Sequence, residues 1–124
     1  RAASSRRYLI IATELMRGDV FAAFVKRRCR AAGSWALRCR VALDAARGIA
    51  ALHARGFMHR DVKTRNMLLD GAARCKLCDL GFARAAAPAG RHMSIVGTDQ
   101  YMAPEVMYGE PYDQRAVRMH ASVL

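Results

Sequence analysis

Two carboxylates and an amide stand at ordered intervals near the middle of this 124-residue chain. Asp61 is followed five residues later by Asn66, and Asp79 comes thirteen residues after Asn66. Hard oxygen atoms of this kind are the ligands that Mg²⁺ prefers, and the ion takes only a few of them while it shares the oxygens of substrate phosphates. Each residue alone would most often be a solvated surface group. Their joint spacing raises them above that default, and Asn66 and Asp79 are the candidate ligands of a magnesium site.

A β-hairpin is predicted to carry Asp79 to that site. Residues 67–71 and 74–78 contain two short strand-like runs, and Asp70-Gly71 stands at the turn between them. An Asp-Gly pair between two such runs is a strong hairpin signal, because both residues tolerate the positive φ that tight hairpin turns require. The second strand ends directly before Asp79, so the hairpin delivers this carboxylate.

Two helices and a further strand are predicted upstream of the hairpin. Ser34 is a suitable N-cap for a longer helix that ends near Gly56. Apolar side chains recur in it at intervals of three and four residues, as in a helix packed on a core. These side chains are Leu37, Val41, Ala45, Ile49 and Leu52. Asp19 is predicted to cap a short amphipathic helix over residues 20–25, and the apolar, β-branched run 8–13 predicts a strand.

Three short motifs, taken in order, resemble the signature set of the protein kinase family. Residues 59–66 read His-Arg-Asp-Val-Lys-Thr-Arg-Asn, residues 79–81 read Asp-Leu-Gly, and residues 103–105 read Ala-Pro-Glu. Any one triplet recurs by chance, but three in this order at workable separations do not. The resemblance implies an α+β, mainly helical fold that belongs to the larger, C-terminal lobe of a kinase domain.

The resemblance also implies a role for each polar residue of the first two motifs. Asp61 stands at the position of the catalytic base, which accepts or orients the proton of the substrate hydroxyl. Lys63 resembles the lysine that serine/threonine kinases place beside the transferring phosphate. Asn66 and Asp79 stand at the metal-binding positions. Gly81 is expected to adopt a positive φ that turns the chain sharply after Asp79.

The implied function is that of a protein serine/threonine kinase, which transfers the γ-phosphate of ATP to Ser or Thr hydroxyls of protein substrates. The motifs are most similar to those of the tyrosine-kinase-like group. ATP would be held in a hinge-like segment by the carbonyl of Glu14 and the amide of Met16, with Leu68 beneath the adenine and Thr13 at the back of the pocket. The alternative is a non-catalytic kinase remnant or a pseudokinase-like binding module.

The segment between the second and third motifs resembles an activation segment. Residues 85–91 lack periodicity and are predicted to form a mobile loop. Ser94 stands where many relatives carry a regulatory phosphorylation site, and a phosphate there could pair with Arg60 through two hydrogen bonds. An unmodified loop serine is an equal alternative. Thr98 is expected to hydrogen-bond the loop that carries Asp61.

The resemblance covers residues 8–116, from the hinge to the activation segment. It leaves residues 1–7 as an N-terminal remnant and residues 117–124 as a divergent tail. No glycine-rich loop or strand lysine precedes residue 8 in this sequence, and kinases use both to position the phosphates. We therefore expect the chain to be a fragment with little or no activity by itself.

The formal net charge of +11 comes almost wholly from arginine. Such a charge permits non-specific attraction to nucleic acid or anionic membranes. Only residues 27–30 form a dense basic cluster, and aromatic residues are few, so no specific nucleic-acid partner is expected. No apolar run approaches the length of a membrane span. The expected location is intracellular and cytoplasmic, and the oligomeric state is open.

The pair Cys75 and Cys78 could suggest a metal or redox site. A structural zinc site needs a second ligand pair at suitable spacing, and Cys29 with Cys39 does not supply one. Residues three apart in a strand point to opposite faces, so the two thiols should diverge. Reduced packing residues are expected.

Overall fold

The computed structural model describes residues 10–26, 33–86 and 92–116. The α-helices are α1, Trp35–His53, and α2, Pro104–Met107. The strands are β1, Gly18–Asp19; β2, Phe57–Met58; β3, Met67–Leu69; β4, Cys75–Leu77; and β5, Arg84–Ala85. Single helical turns connect them: a π-helical turn at Phe21–Val25 and 3₁₀ turns at Thr64–Asn66, Leu80–Phe82, Asp99–Tyr101 and Gln114–Ala116. These elements are consistent with the predicted α+β class, while the mainly helical character and the assignment to one lobe stay predictions.

Helix α1 begins and ends where its sequence indicates. The Ser34 hydroxyl accepts a hydrogen bond from the Leu37 amide at 3.4 Å, which satisfies one of the free donors of the first turn. Val41 and Ala45 on its apolar stripe are buried. The helix stops three residues before Gly56, whose φ of 75° reverses the chain. The predicted capped helix is confirmed.

The predicted hairpin is present as β3 and β4, which pair antiparallel with Leu69 opposite Cys75. The Asp70 carboxylate organises the turn, because Oδ1 accepts hydrogen bonds from the amides of Ala72 at 2.8 Å and Arg74 at 2.9 Å. Strand β1 adds antiparallel to β3, so the sheet order is β1-β3-β4. Strands β2 and β5 form a separate antiparallel pair.

The hydrophobic core lies between α1, the three-stranded sheet and the π-helical turn. Its buried members are Val20, Phe24, Val41, Ala45, Val62, Met67, Leu69 and Cys75. Helix α1 packs directly on β4, and Gly48 permits this close approach, since a Cβ there would lie 3.1 Å from Leu77 Cδ1.

Of the cysteines in the described part of the chain, Cys75 packs in the core, whereas Cys39 is exposed. Cys39, Cys75 and Cys78 are free thiols. Cys75 is buried in β4, and burial, with the nearby charge of Asp44, raises the pKa of its thiol to about 11. It is therefore protonated at neutral pH and is a poor nucleophile.

The strand predicted over residues 8–13 is wrong where the structure describes it. Residues 10–13 are irregular, and Ile10 and Ile11 are exposed; residues 8 and 9 lie outside the described ranges. A strand needs a neighbour that satisfies its backbone groups. No strand among the described residues pairs with this segment. The β-propensity of its residues alone is therefore not enough to make it a strand.

The helix predicted over residues 20–25 is a single π-helical turn. Its closing hydrogen bond joins Lys26 N to Phe21 O at 3.1 Å. Asp19 does cap the turn, as predicted, because its Oδ1 accepts from the Ala22 amide at 2.7 Å. Buried Val20 and Phe24 hold the turn against the core. This tertiary contact cannot be predicted from the spacing of apolar residues in the sequence.

Across residues 10–26, 33–86 and 92–116, none of the helices combines the length and the apolar character that crossing a bilayer requires. The predicted N-terminal remnant and C-terminal tail, residues 27–32 and most of the predicted mobile loop lie outside these ranges.

Replacing Met67 by Ala is expected to lower the free energy of unfolding by about 2–5 kcal/mol, because a buried side chain leaves a cavity behind. Met67 is 1% exposed in β3. Urea unfolding followed by circular dichroism measures the change. Met107→Ala removes the same atoms from a side chain that is 54% exposed, and its effect should stay below about 0.5 kcal/mol. Equal losses for the two variants would contradict the core described above.

Candidate active site

A buried carboxylate with three polar partners forms the centre of the site. Asp61 is 3% exposed. Its Oδ2 lies 2.7 Å from Lys63 Nζ and accepts a hydrogen bond from Asn66 Nδ2 at 2.9 Å. Its Oδ1 accepts from the Thr98 hydroxyl at 2.9 Å, and Lys63 Nζ also donates to Thr98 Oγ1 at 2.8 Å. The four side chains form one network, and the predicted contact between Thr98 and the loop 59–66 is present.

This network keeps Asp61 ionised. Burial is the largest single influence on the pKa of its carboxyl group and raises it. Hydrogen bonds from Lys63, Thr98 and Asn66, with the charge of Lys63, together outweigh burial and hold the pKa below its ordinary value of 3.8. A carboxyl with a depressed pKa stabilises the fold above its unfolded pKa, and that contribution is lost as the pH falls through the folded pKa. At neutral pH Asp61 is a charged acceptor.

The backbone of Asp61 is held by His59, whose ring is fully buried. Its Nε2 lies 3.0 Å from the carbonyl oxygen of Cys78, and its Nδ1 accepts from the Asp61 amide at 3.4 Å. In the tautomer with a proton on Nε2, both bonds form together. Arg60, which lies between His59 and Asp61, has a φ of 66°, a backbone conformation that residues other than glycine rarely adopt. His59 therefore positions the loop that carries Asp61.

Asp79 reaches the site from the end of β4. The amide of Cys78 donates to the carbonyl of Asn66 at 2.9 Å, which ties the preceding residue to the loop. The prediction that Gly81 supplies a positive φ is wrong, because Asp79 itself has a φ of 59°. Its Oδ1 accepts from the Gly81 amide at 3.3 Å, and such local bonding lets Asp adopt left-handed backbone. Gly81 instead provides space, since a Cβ there would lie 3.1 Å from Asp79 Oδ1.

The chemistry of the two predicted metal ligands fits Mg²⁺. Asn66 uses Nδ2 for its hydrogen bonds to the carbonyl oxygen and Oδ2 of Asp61, both at 2.9 Å. Its amide oxygen is therefore the atom that a cation would bind. The Asp79 side chain belongs to an exposed residue. One amide and one carboxylate suit an ion that keeps part of its water shell and shares phosphate oxygens.

Leu68 lies on the face of β3 opposite the core. Met67 and Leu69 are buried in the core, while Leu68 between them is half-buried, as the alternation of side chains along a strand requires. This is the orientation expected of a residue that lies beneath a bound adenine.

The hinge-like segment runs beside the same sheet. The amide of Arg17, which follows Met16, donates to the carbonyl of Leu69 at 2.8 Å. Glu14 forms an ion pair with Lys76 of β4, a contact across 62 residues that the sequence did not indicate. The structure thus brings Glu14 and the backbone directly after Met16 to the sheet that contains Leu68, while Thr13 is exposed.

Arg60 contacts Ser94 in the predicted activation segment. Its Nη1 lies 3.2 Å from Ser94 Oγ, and its Nε donates to the carbonyl of Phe82 at 2.7 Å. Tyr112 joins this cluster, because its hydroxyl donates to Ser94 O at 2.9 Å and accepts from Arg60 Nη1 at 3.4 Å. Sequence reasoning missed Tyr112, since no local pattern marks a contact between residues 52 apart.

Gly97 lets the segment that carries Thr98 approach the loop. It has a φ of 126°, and a Cβ at this position would lie 2.7 Å from the carbonyl oxygen of Arg60. Any other residue would therefore be strained and would collide with the backbone. The hydroxyls of Thr64 and Tyr101, which lie 3.3 Å apart, form a second contact between the loop and this segment.

A family model described as the protein kinase domain matches residues 1–122 of the chain. The chain belongs to the protein kinase family. This confirms the resemblance drawn from the three motifs. Within the family, the buried Asp61 occupies the catalytic-loop motif, and Asp79 opens the second motif.

Several curated relatives of this kinase chain come from Dictyostelium discoideum. The probable serine/threonine-protein kinase kinX is 38% identical over 109 residues, which cover 87% of this chain and 10% of kinX. The RasGEF domain-containing serine/threonine-protein kinase X is 43% identical over 81 residues, 64% of this chain and 8% of that protein. The probable serine/threonine-protein kinase kinY is 44% identical over 84 residues, 63% of this chain and 14% of kinY. The chain thus spans about a tenth of the length of the relatives it matches.

Replacing Gly97 by Ala is expected to separate Thr98 from Asp61 and so to raise the pKa of the Asp61 carboxyl group. The new Cβ collides with the loop backbone, and the Thr98 hydroxyl is one of the donors that lower this pKa. An NMR titration of the Asp61 side-chain carboxyl carbon measures the shift. In the control Gly33→Ala, the Cβ meets no atom within 4 Å, so the titration should be unchanged. An unaltered Asp61 titration in Gly97→Ala would contradict the proposed close approach.

Proposed function

We propose that the protein containing this chain is a serine/threonine kinase that transfers the γ-phosphate of ATP to Ser or Thr hydroxyls of protein substrates. The observation that carries the proposal is the Asp61 carboxylate, which is buried, ionised and oriented by Lys63, Asn66 and Thr98. Phosphoryl transfer requires mainly positioning and charge stabilisation, with little covalent chemistry by the protein. The three motifs and the names of the relatives, which describe them as serine/threonine-protein kinases, support the same reaction.

Asp61 would orient the attacking hydroxyl. The Thr98 hydroxyl already donates to Asp61 Oδ1 at 2.9 Å, so an alcohol can present its proton to this carboxylate at hydrogen-bond distance. A substrate Ser or Thr that donated in the same way would direct its hydroxyl hydrogen at the carboxylate and leave a lone pair of its oxygen free to face the phosphate. Because the pKa of Asp61 is low, the group remains a proton acceptor at neutral pH and takes up the proton late in the transfer.

Lys63 would neutralise charge beside the same carboxylate. Its side chain is 22% exposed, and Nζ contacts both Asp61 Oδ2 and Thr98 Oγ1. An ammonium group has three donors, so one can remain for a phosphate oxygen while two hold these partners. Lys63 thereby couples the position of the acceptor carboxylate to the position of the phosphate.

Asn66 and Asp79 would hold Mg²⁺ with ATP. Held there, the ion would neutralise the charge that develops on the phosphate oxygens. The hydrogen bond from the Cys78 amide to the Asn66 carbonyl ties the residue before Asp79 to the loop that carries Asn66. The carbonyl of Glu14, the amide of Met16 and the side chain of Leu68 would bind the adenine. Membership of the tyrosine-kinase-like group and an intracellular location belong to the same proposal.

Replacing Asp61 by Asn in the full-length protein should lower the rate of phosphate transfer to a Ser-containing peptide by about 10²–10⁴-fold, the usual contribution of acid–base catalysis. Radiolabelled ATP measures transfer, and calorimetric titration measures nucleotide binding, which should change little. Asp99→Asn is the matched control, because Asp99 is exposed and forms no side-chain hydrogen bond within the described residues. An unchanged rate in Asp61→Asn would remove this residue from its role. Nucleotide binding without any transfer by the unaltered protein would favour the non-catalytic alternative.

Phosphorylation of Ser94 is proposed to increase this activity. A phosphate adds a charge of about −1.5 to −2, and Arg60 Nη1 already lies 3.2 Å from Ser94 Oγ. The phosphorylated protein, prepared with a separate kinase, should transfer phosphate faster than the unmodified protein, and Arg60→Gln should abolish the difference. Arg84→Gln, an exposed cation on β5, serves as the control. Equal rates with and without the phosphate would contradict the proposal.

A further inference from the structure

Two cations converge on one aromatic ring beside the active site. The guanidinium carbon of Arg65 lies 4.3 Å from the centroid of the Phe21 ring, and Lys26 Nζ lies 5.9 Å from the same centroid. The ring quadrupole attracts a cation placed over its face. Among the described residues, neither cation forms an ion pair within 4.0 Å. The surface therefore presents two positive charges that an aromatic ring holds in place and that no carboxylate neutralises.

The surface defined by Arg65, Phe21 and Lys26, here termed the basic platform, adjoins the substrate hydroxyl site. In the turn Thr64–Asn66, the flanking side chains are buried and Arg65 alone is exposed. Consecutive Cα atoms are about 3.8 Å apart, and Asn66, the next residue, donates directly to Asp61. An extended peptide advances about 3.3 Å per residue. We therefore expect substrate residues a few positions from the target Ser or Thr to lie near the platform.

The acidic groups near the platform are already committed to other partners. The Asp19 carboxylate accepts the Ala22 amide at 2.7 Å, where it caps the π-helical turn. The Asp61 carboxylate is bound by Lys63, Asn66 and Thr98. Because neither Arg65 nor Lys26 forms an ion pair with these carboxylates, the platform keeps its two positive charges, in a chain whose formal net charge is +11.

We propose that the basic platform selects protein substrates with Asp or Glu residues close to the target Ser or Thr. This inference rests on the proposed kinase function and names the chemical class of its substrate. Arg65 would bind a substrate carboxylate through two parallel hydrogen bonds, and Lys26 would add a second, less directional charge. Phe21 is a positioning residue, because its ring limits where the guanidinium can lie. A peptide is favoured over a nucleic acid because the platform adjoins the carboxylate that receives an alcohol.

The test uses the full-length protein and three synthetic peptides that differ only in the residues beside one Ser, which are Glu, Gln or Arg. Isothermal titration calorimetry at low salt measures binding independently of catalysis. The Glu peptide should bind roughly three- to tenfold more tightly than the Gln peptide, as expected for two partly exposed ion pairs. The preference should shrink at high salt. Equal binding of the Glu and Gln peptides, or tighter binding of a short single-stranded DNA than of the Glu peptide, would overturn the proposal.

Charge reversal supplies the decisive comparison. Arg65→Glu should abolish the preference for the Glu peptide and shift it toward the Arg peptide, and Lys26→Glu should act in the same direction. Arg47→Glu makes the same charge change on α1, where Arg47 pairs with Asp44, and should leave the preference intact. A preference that survives both platform variants, or that Arg47→Glu removes equally, would also overturn it.

Phosphate transfer to the same peptides separates this proposal from the kinase function itself. Efficient transfer to all three peptides without preference would retain the kinase function and reject the platform. Selective binding of the Glu peptide without transfer to any peptide would retain the platform and reject the kinase function.

Discussion

The structure depends on one buried charge and on the groups that make its burial tolerable. An isolated carboxylate within a protein interior costs several kcal/mol unless charged or hydrogen-bonding partners replace its water. Asp61 has three such partners, and they come from both sides of the site: Lys63 and Asn66 from its own loop and Thr98 from a segment over thirty residues away. Because Asp61 can be buried only when these partners are in place, its burial keeps the two segments together. The candidate site and the fold therefore depend on the same contacts.

Backbone strain appears around this charge and is held by close packing. Arg60 and Asp79 have positive φ values, which cost free energy in residues other than glycine. His59 and Asn66 secure these segments through hydrogen bonds to Cys78. Backbone strain of this kind persists only where enough surrounding contacts hold the residue in the strained conformation. The hairpin and the loop thus support each other.

Charge is distributed unevenly around this centre. Asp61 is paired with Lys63, whereas Arg60 and Arg65 meet neutral oxygens or an aromatic ring. Neutral partners orient a guanidinium without cancelling its charge. Arg60 therefore presents a positive charge beside Ser94, and Arg65 presents one on the basic platform.

The sequence by itself determined the family and most of the local elements. The motif spacing identified the family, Ser34 and the apolar stripe delimited α1, and Asp70-Gly71 located the hairpin, because each of these signals depends on neighbouring residues. Tertiary structure decided the remainder. Residues 10–13 do not form the predicted strand, because no described strand pairs with them. The shape of the turn at Phe21–Val25 is set by the burial of its side chains in the core. The positive φ that was expected at Gly81 occurs at Asp79. Tyr112 and Phe21 reach the site only through folding, since contacts between distant residues leave no periodic or local trace in one sequence.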